Sequence, residues 1–155
     1  MLGFHFPQAK DLYGLPERKL KSRLHTTSDG WPYRVYALDH FPAEPWDMQP
    51  LYSGIPYLTG HSPTVDQSVI LITGAETWVD LADHPEGGKR ANFMVESGVL
   101  EFFIFASHNP KAQMKKLATI TGFPRLPPWW SLGFHYSKWE ETSAERIMEL
   151  NRNFE

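Results

Sequence analysis

Apolar and polar positions alternate most regularly between residues 76 and 81, where "AETWVDLA" places Glu76, Trp78 and Asp80 on one face of an extended strand and Thr77, Val79 and Leu81 on the other. That period of two predicts a strand with one wet and one buried face. "SGIPYLTG" and "QSVILITG" each close on glycine and flank the loop-like "HSPTVD", so two more strands are expected there. "VLEFFIFA", Val99 to Ala106, carries β-branched and aromatic residues at successive positions and reads as a central strand buried on both sides. Upstream, "LKSRLHTT" and "YRVYAL" flank "SDGWP", a turn composition that predicts a hairpin from Leu20 to Leu38.

The period changes after residue 108. In "NPKAQMKKLATITG", Asn109 is placed to cap a helix, Pro110 to occupy its first position and Gly122 to end it. Met114, Leu117 and Ala118 share one face, with Lys111, Lys115 and Lys116 turned outward, the pattern of a helix lying over a sheet. "PRLPPWW" then interrupts, since Pro127 and Pro128 lack N–H donors and hold the preceding residues extended. Beyond it, "SLGFHYSKW" reads as a strand. "TSAE" forms a capping box from Thr142 to Glu145, opening a helix with Ile147, Leu150 or Asn151, and Phe154 on one stripe. Strand, loop and helix make a first α/β unit.

The 155 residues, 41% apolar, suffice for one ordinary domain, and the 13 prolines and 11 glycines are spread out as turns. A net charge of −3 with scattered basic residues excludes a nucleic-acid footprint. The absence of cysteine removes disulfides and thiolate metal sites. No stretch approaches the roughly 20 apolar residues of a membrane span, and no targeting signal is visible at the N-terminus.

Four segments in order, "DLYGLPER", "PYRVYALD", "AETWVDL" and "LPPWWSLGFHYSKW", resemble the family 31 glycoside hydrolases. The resemblance implies a mainly β fold. A galactose-mutarotase-like β-sandwich over residues 1–125 would be followed, over 126–155, by a linker and the first strand and helix of a truncated (β/α)8 barrel. A whole barrel takes roughly 250 residues, whereas only 19 follow Tyr136.

The family performs retaining hydrolysis of α-glucosidic bonds, which needs two carboxyl groups about 5–5.5 Å apart. It draws both aspartates from later barrel strands, so no catalytic residue is expected in this chain, and no metal or organic cofactor is implied. The resemblance assigns substrate binding to Asp39, on a sandwich loop reaching the barrel mouth, and to Trp139, at the end of the first barrel strand. Lys138 stands where the family usually has arginine. Within the family, likeness is greatest to the branch that trims glucosylated glycans in the endoplasmic-reticulum lumen alongside a non-catalytic β subunit. The expected partners are an α-glucoside or such a glycan, the remaining barrel in the same or a second chain, and that β subunit, but neither nucleic acid nor membrane. A reading from another class is a free-standing, non-catalytic carbohydrate-binding or interaction module.

Other residues have plainer readings. Trp78, Trp129 and Trp130 read as packing residues rather than a sugar platform, and His135 as a hydrogen-bonded structural histidine. Glu17 and Arg18 are a possible ion pair within a turn.

Overall fold

The computed structural model describes residues 1–19, 21–27, 30–40, 49–139 and 143–154. The chain divides into two compact units, Met1–Gly122 and Phe123–Glu155.

The first unit contains two four-stranded antiparallel sheets. One has the order β1 (Leu2–Phe6), β7 (Lys89–Val95), β6 (Thr77–Asp83), β3 (Tyr33–Val35). The other has the order β2 (Asp11–Gly14), β4 (Tyr57–His61), β5 (Asp66–Ile72), β8 (Glu101–Ser107). Strand β6 follows its sequence pattern, with Thr77, Val79 and Leu81 buried and Trp78 exposed. Of these, Val79 and Leu81 join Tyr33, Phe93 and Ala91 from their own sheet and Leu12, Leu58, Val69 and Leu71 from the other in a single core. β4 and β5 form the expected pair around residues 62–65.

The two-sided strand is β5 rather than β8. β5 lies between β4 and β8, and helix α1 (Pro110–Thr121) packs against it, so Ser68, Val69, Ile70 and Leu71 are all buried. β8 occupies the sheet edge, and its Phe102, Phe103 and Ile104 remain exposed, Ile104 by 64%. Apolar residues on both faces of a strand therefore record composition here, without reporting neighbours.

Residues 21–27 do not form a strand, so the hairpin expected from Leu20 to Leu38 is absent; Leu20, Ser28 and Asp29 lie outside the described residues. The reason lies in stronger partners elsewhere. Leu24 donates its N–H to the Leu12 carbonyl at 2.9 Å, and Thr27 donates to the Leu81 carbonyl at 2.7 Å. The Thr27 hydroxyl accepts from the Leu81 N–H at 2.9 Å, and the Tyr33 phenol bonds both the N–H and the carbonyl of His25. The segment thus runs from β2 to β6, and β3 pairs with β6 instead.

Helix α1 begins and ends as expected. Asn109 accepts from the Ala112 N–H at 2.9 Å, and Gly122, at φ 85°, donates to the Ala118 carbonyl. Its inward contact differs, however. Gln113 is 1% exposed while Met114 is exposed. Gln113 accepts from the Ser107 hydroxyl at 2.5 Å and donates to Ser68 Oγ at 2.6 Å and the Phe105 carbonyl at 2.9 Å. A polar side chain takes the buried position because the sheet beneath it presents hydroxyls and an edge carbonyl. Lys116, expected to face solvent, bonds the Ala106 carbonyl through its ammonium.

In the second unit the prolines lead into a 3-10 turn at Trp129–Leu132, and no strand forms among the described residues there. The expected strand over residues 131–139 is missing because a ladder requires a partner, and the described residues of its unit supply none. Helix α2 spans Ala144–Phe154. Its first turn is capped by Ser143, which accepts the Arg146 N–H at 3.1 Å; Thr142 of the expected capping box lies outside the described residues. The rings of Phe134 and Tyr136 approach Phe154 at 5.6 and 6.1 Å between centroids.

Replacing Gln113 with leucine removes its bonds to Ser68 and the Phe105 carbonyl and one of the two acceptors of the Ser107 hydroxyl. Chemical denaturation of this variant should show a loss of about 1–3 kcal/mol, whereas Lys115→Ala should stay within about 0.5 kcal/mol of the parent.

Candidate functional site

The "YGLPER" segment sets one end of the site. Gly14 has φ 131°, and a Cβ there would lie 2.3 Å from the Tyr57 carbonyl oxygen, so the close approach of β2 to β4 excludes any other residue. Leu15 follows at φ 50° and is fully buried. The chain then runs beside residues 51–55: Glu17 donates to the Ser53 carbonyl at 2.7 Å, Leu51 to the Glu17 carbonyl at 3.0 Å and Ile55 to the Pro16 carbonyl at 3.0 Å. On the other flank, Leu38 donates to the Leu51 carbonyl at 2.7 Å. Gly54 lets the strands close up, since a Cβ there would come within 2.9 Å of the Tyr36 nitrogen. Three extended segments, 16–18, 51–55 and 36–38, are thereby laced together beyond the end of β3.

Arg18 fixes this lacework to the sandwich. Its guanidinium donates to the Leu15 carbonyl at 2.8 Å and to the Arg34 carbonyl, and lies 5.1 Å from the centre of the Tyr33 ring. Burial pushes its pKa down to about 10, with Tyr33 partly opposing, so the group keeps its charge at neutral pH. These carbonyl bonds help to satisfy the guanidinium. Arg34 bonds both oxygens of Glu76, at 2.5 and 3.3 Å, and stands over the rings of Tyr36 and Trp78 at 4.5 and 5.6 Å. The hydrogen bond donated to Glu76 holds the Arg34 pKa above its ordinary value.

Asp39 projects from the end of the 36–38 segment into solvent. The Tyr52 phenol donates to its Oδ1 at 3.0 Å. That bond, and then the charge of Asp39, raise the pKa of Tyr52. Sequence reasoning selected Asp39 and missed Tyr52, because a contact across thirteen positions depends on the register of two irregular segments.

Trp139, the other residue singled out by resemblance, belongs to the second unit and is 95% exposed. Trp129 and Trp130 are also exposed, and His135 Nε2 lies 3.0 Å from the Ser131 carbonyl.

A second concavity, of about 350 Å³, lies between α1 and strands β2 and β4, lined by residues including Tyr13, Tyr57, His61, Asp66 and Met114. His61 Nδ1 pairs with Asp66 Oδ1 at 2.5 Å, and Asp66 Oδ2 is sealed from solvent without a hydrogen-bond partner. The cleft surface is apolar, leaving it without the donors and acceptors that orient a polar ligand. The Asp39–Tyr52 pair, by contrast, presents an exposed carboxylate beside an aromatic ring. Among the described residues, no group of three or more histidine, aspartate or glutamate side chains converges as a metal site, and no helix is long and apolar enough to cross a membrane.

Comparison with known proteins decides the family. Residues 1–80 of the 155 match the glycosyl hydrolase 31 N-terminal galactose mutarotase-like domain. The chain belongs to that family. It is 33% identical to neutral alpha-glucosidase AB of Sus scrofa across 99% of this chain and 18% of that protein. A crystal structure of the ER glucosidase II heterodimeric complex, consisting of catalytic subunit and the binding domain of the regulatory subunit, superposes with a TM-score of 0.83 at 27% identity, covering 98% of this chain and 18% of that one. The DNJ-bound glucosidase II alpha subunit gives a TM-score of 0.82 with the same identity and coverage. The chain thus spans about a fifth of the length of these relatives. Its two antiparallel sheets are the mutarotase-like sandwich of that family.

The raised pKa of Tyr52 has a measurable sign. Its protonated form is favoured in the folded chain, so the contribution is present below the ordinary tyrosine value near 10 and is lost as pH rises through the higher folded value. In an ultraviolet alkaline titration one of the six tyrosines should ionise later for this reason, and Asp39→Ala should bring that transition earlier.

Proposed function

We propose that the chain supplies one wall of the sugar pocket in a retaining α-glucosidase that trims terminal glucose from glycans, with Asp39 and Trp139 as substrate-binding residues. The observation carrying this reading is that the similarity to glucosidase II alpha subunits extends over 98% of the chain, the second unit included. In this reading residues 1–125 are the sandwich domain, and residues 126–155 are the linker and first unit of a (β/α)8 barrel whose remainder lies in the same or a second chain. Residues 131–139 become a regular strand when barrel neighbours supply a ladder, which accounts for their irregular form here.

Asp39 then offers its carboxylate to sugar hydroxyls, and Trp139 lines the innermost subsite. The catalytic aspartates come from the barrel beyond these residues, no metal or organic cofactor takes part, and this chain orients substrate without breaking bonds. Relatives described as ER glucosidase II with a regulatory subunit support the endoplasmic-reticulum lumen as its place and a non-catalytic β subunit as its partner.

Two outcomes follow from this assignment. The purified 155-residue chain should release no measurable aglycone from an aryl α-glucoside, and turnover that persists through removal of contaminating glucosidase overturns the assignment. In the complete glycosidase, Asp39→Ala should lower kcat/KM roughly 10- to 150-fold, the equivalent of about 1.5–3 kcal/mol for hydrogen bonds to a charged group. The melting temperature should stay close to that of the parent, because the side chain is exposed; a lowered melting temperature with unaltered kcat/KM makes Asp39 a turn residue instead.

A further inference from the structure

We infer that Tyr52 is a positioning residue for sugar recognition, its phenol fixing the orientation in which Asp39 meets substrate hydroxyls. This rests on the assignment of Asp39 as a sugar contact and deepens it.

The observation is the direct bond between the Tyr52 phenol and Asp39 Oδ1, 3.0 Å long, between two residues that both face solvent. An exposed carboxylate ordinarily samples several χ1 and χ2 rotamers, and a substrate that needs one of them bears the cost of selecting it. The phenol removes most of that freedom before substrate arrives. It also divides the carboxylate. Oδ1 has one lone pair engaged by the phenol, while Oδ2 is left as the stronger free acceptor. A sugar hydroxyl donating to Asp39 therefore meets one preferred oxygen in one direction, and discrimination between epimers depends on such directionality.

Tyr52 can do this because its own backbone is held from two sides. Leu51 and Ser53, its chain neighbours, are bonded to Glu17, and the Leu51 carbonyl accepts from Leu38, immediately before Asp39. The donor and the carboxylate are thus anchored to the same lacework, which Arg18 ties to the sandwich. Tyr52 itself is 71% exposed, so its ring contributes little to the core and its side chain is available to act at the surface. A tyrosine serving only stability would bury its ring; this one buries neither ring nor hydroxyl.

The decisive comparison is among Tyr52→Phe, Asp39→Ala and the double variant in the complete glycosidase, using an aryl α-glucoside as substrate and glucose as competitive inhibitor. Tyr52→Phe keeps the ring and removes the charge-assisted hydrogen bond that orders the Asp39 carboxylate, so kcat/KM and glucose affinity should each fall roughly 2- to 12-fold, the cost of ordering one side chain anew. The melting temperature should not change, and in the double variant the Tyr52 effect should disappear, because the phenol acts only through Asp39. Relative activity towards the galacto-configured substrate should rise in Tyr52→Phe as the carboxylate loses its fixed direction. If Asp39→Ala is impaired while Tyr52→Phe matches the parent in kcat/KM and inhibitor affinity, the positioning role is overturned and the Asp39 assignment stands. If Asp39→Ala itself matches the parent, the underlying assignment fails, and the positioning role with it. Equal losses from Tyr52→Phe with and without Asp39 would make Tyr52 an independent contact, which also overturns the inference.

Discussion

The apolar seam between the two sheets is the constraint from which the remaining arrangement follows. Each sheet has a face that must leave water, and the period-two register of β6 decides which residues those are. A slip of one position would place Trp78 and Asp80 inside and Val79 and Leu81 outside, so the register is firmly set. Tyr33 shows how the seam reaches outward. Its ring lies fully buried in the core, its hydroxyl holds His25, and the guanidinium of Arg18 lies against its face. A side chain chosen for burial thus organises two segments that have no regular structure of their own.

The candidate site inherits its order from that arrangement. The 16–18, 36–38 and 51–55 segments are held by backbone hydrogen bonds and by one half-buried cation that bonds two carbonyls. Such a construction gives rigidity without bulk. It carries a carboxylate away from the sandwich surface while leaving the carboxylate itself accessible to solvent.

How far the sequence revealed all this depended on where the neighbours of each residue lie in the chain. β6, the β4–β5 pair and helix α1 were legible because their patterns are local: alternation, glycine punctuation, and the Asn109–Pro110 and Gly122 boundaries. β8 was legible as a strand and misread as a central one, since edge position depends on sheet order, which no local window contains. Strands β1, β2 and β7 are short or of mixed polarity and were not singled out. Residues 21–27 failed as a hairpin arm because Leu12 and Leu81 compete for their backbone groups from afar. Gln113 beneath the helix and Tyr52 beside Asp39 share that cause, as both are polar residues whose role is defined by a partner on another element. Asp39 and Trp139 emerged from family resemblance; a lone aspartate carries no mark of sugar binding by itself.

The sheet order also bears on how the chain is made. The β4–β5 and β6–β7 pairs join neighbours in sequence and close soon after synthesis, whereas β1 completes its pairing only with β7, Leu2 lying opposite Phe93. At about 5–20 residues per second, the sequence separation of 91 between those partners corresponds to a wait of roughly 5–18 s. Throughout that interval Phe4 and Phe6 have no sheet to enter. Strand β1 therefore waits, apolar and unpaired, until most of the sandwich that follows it has been made.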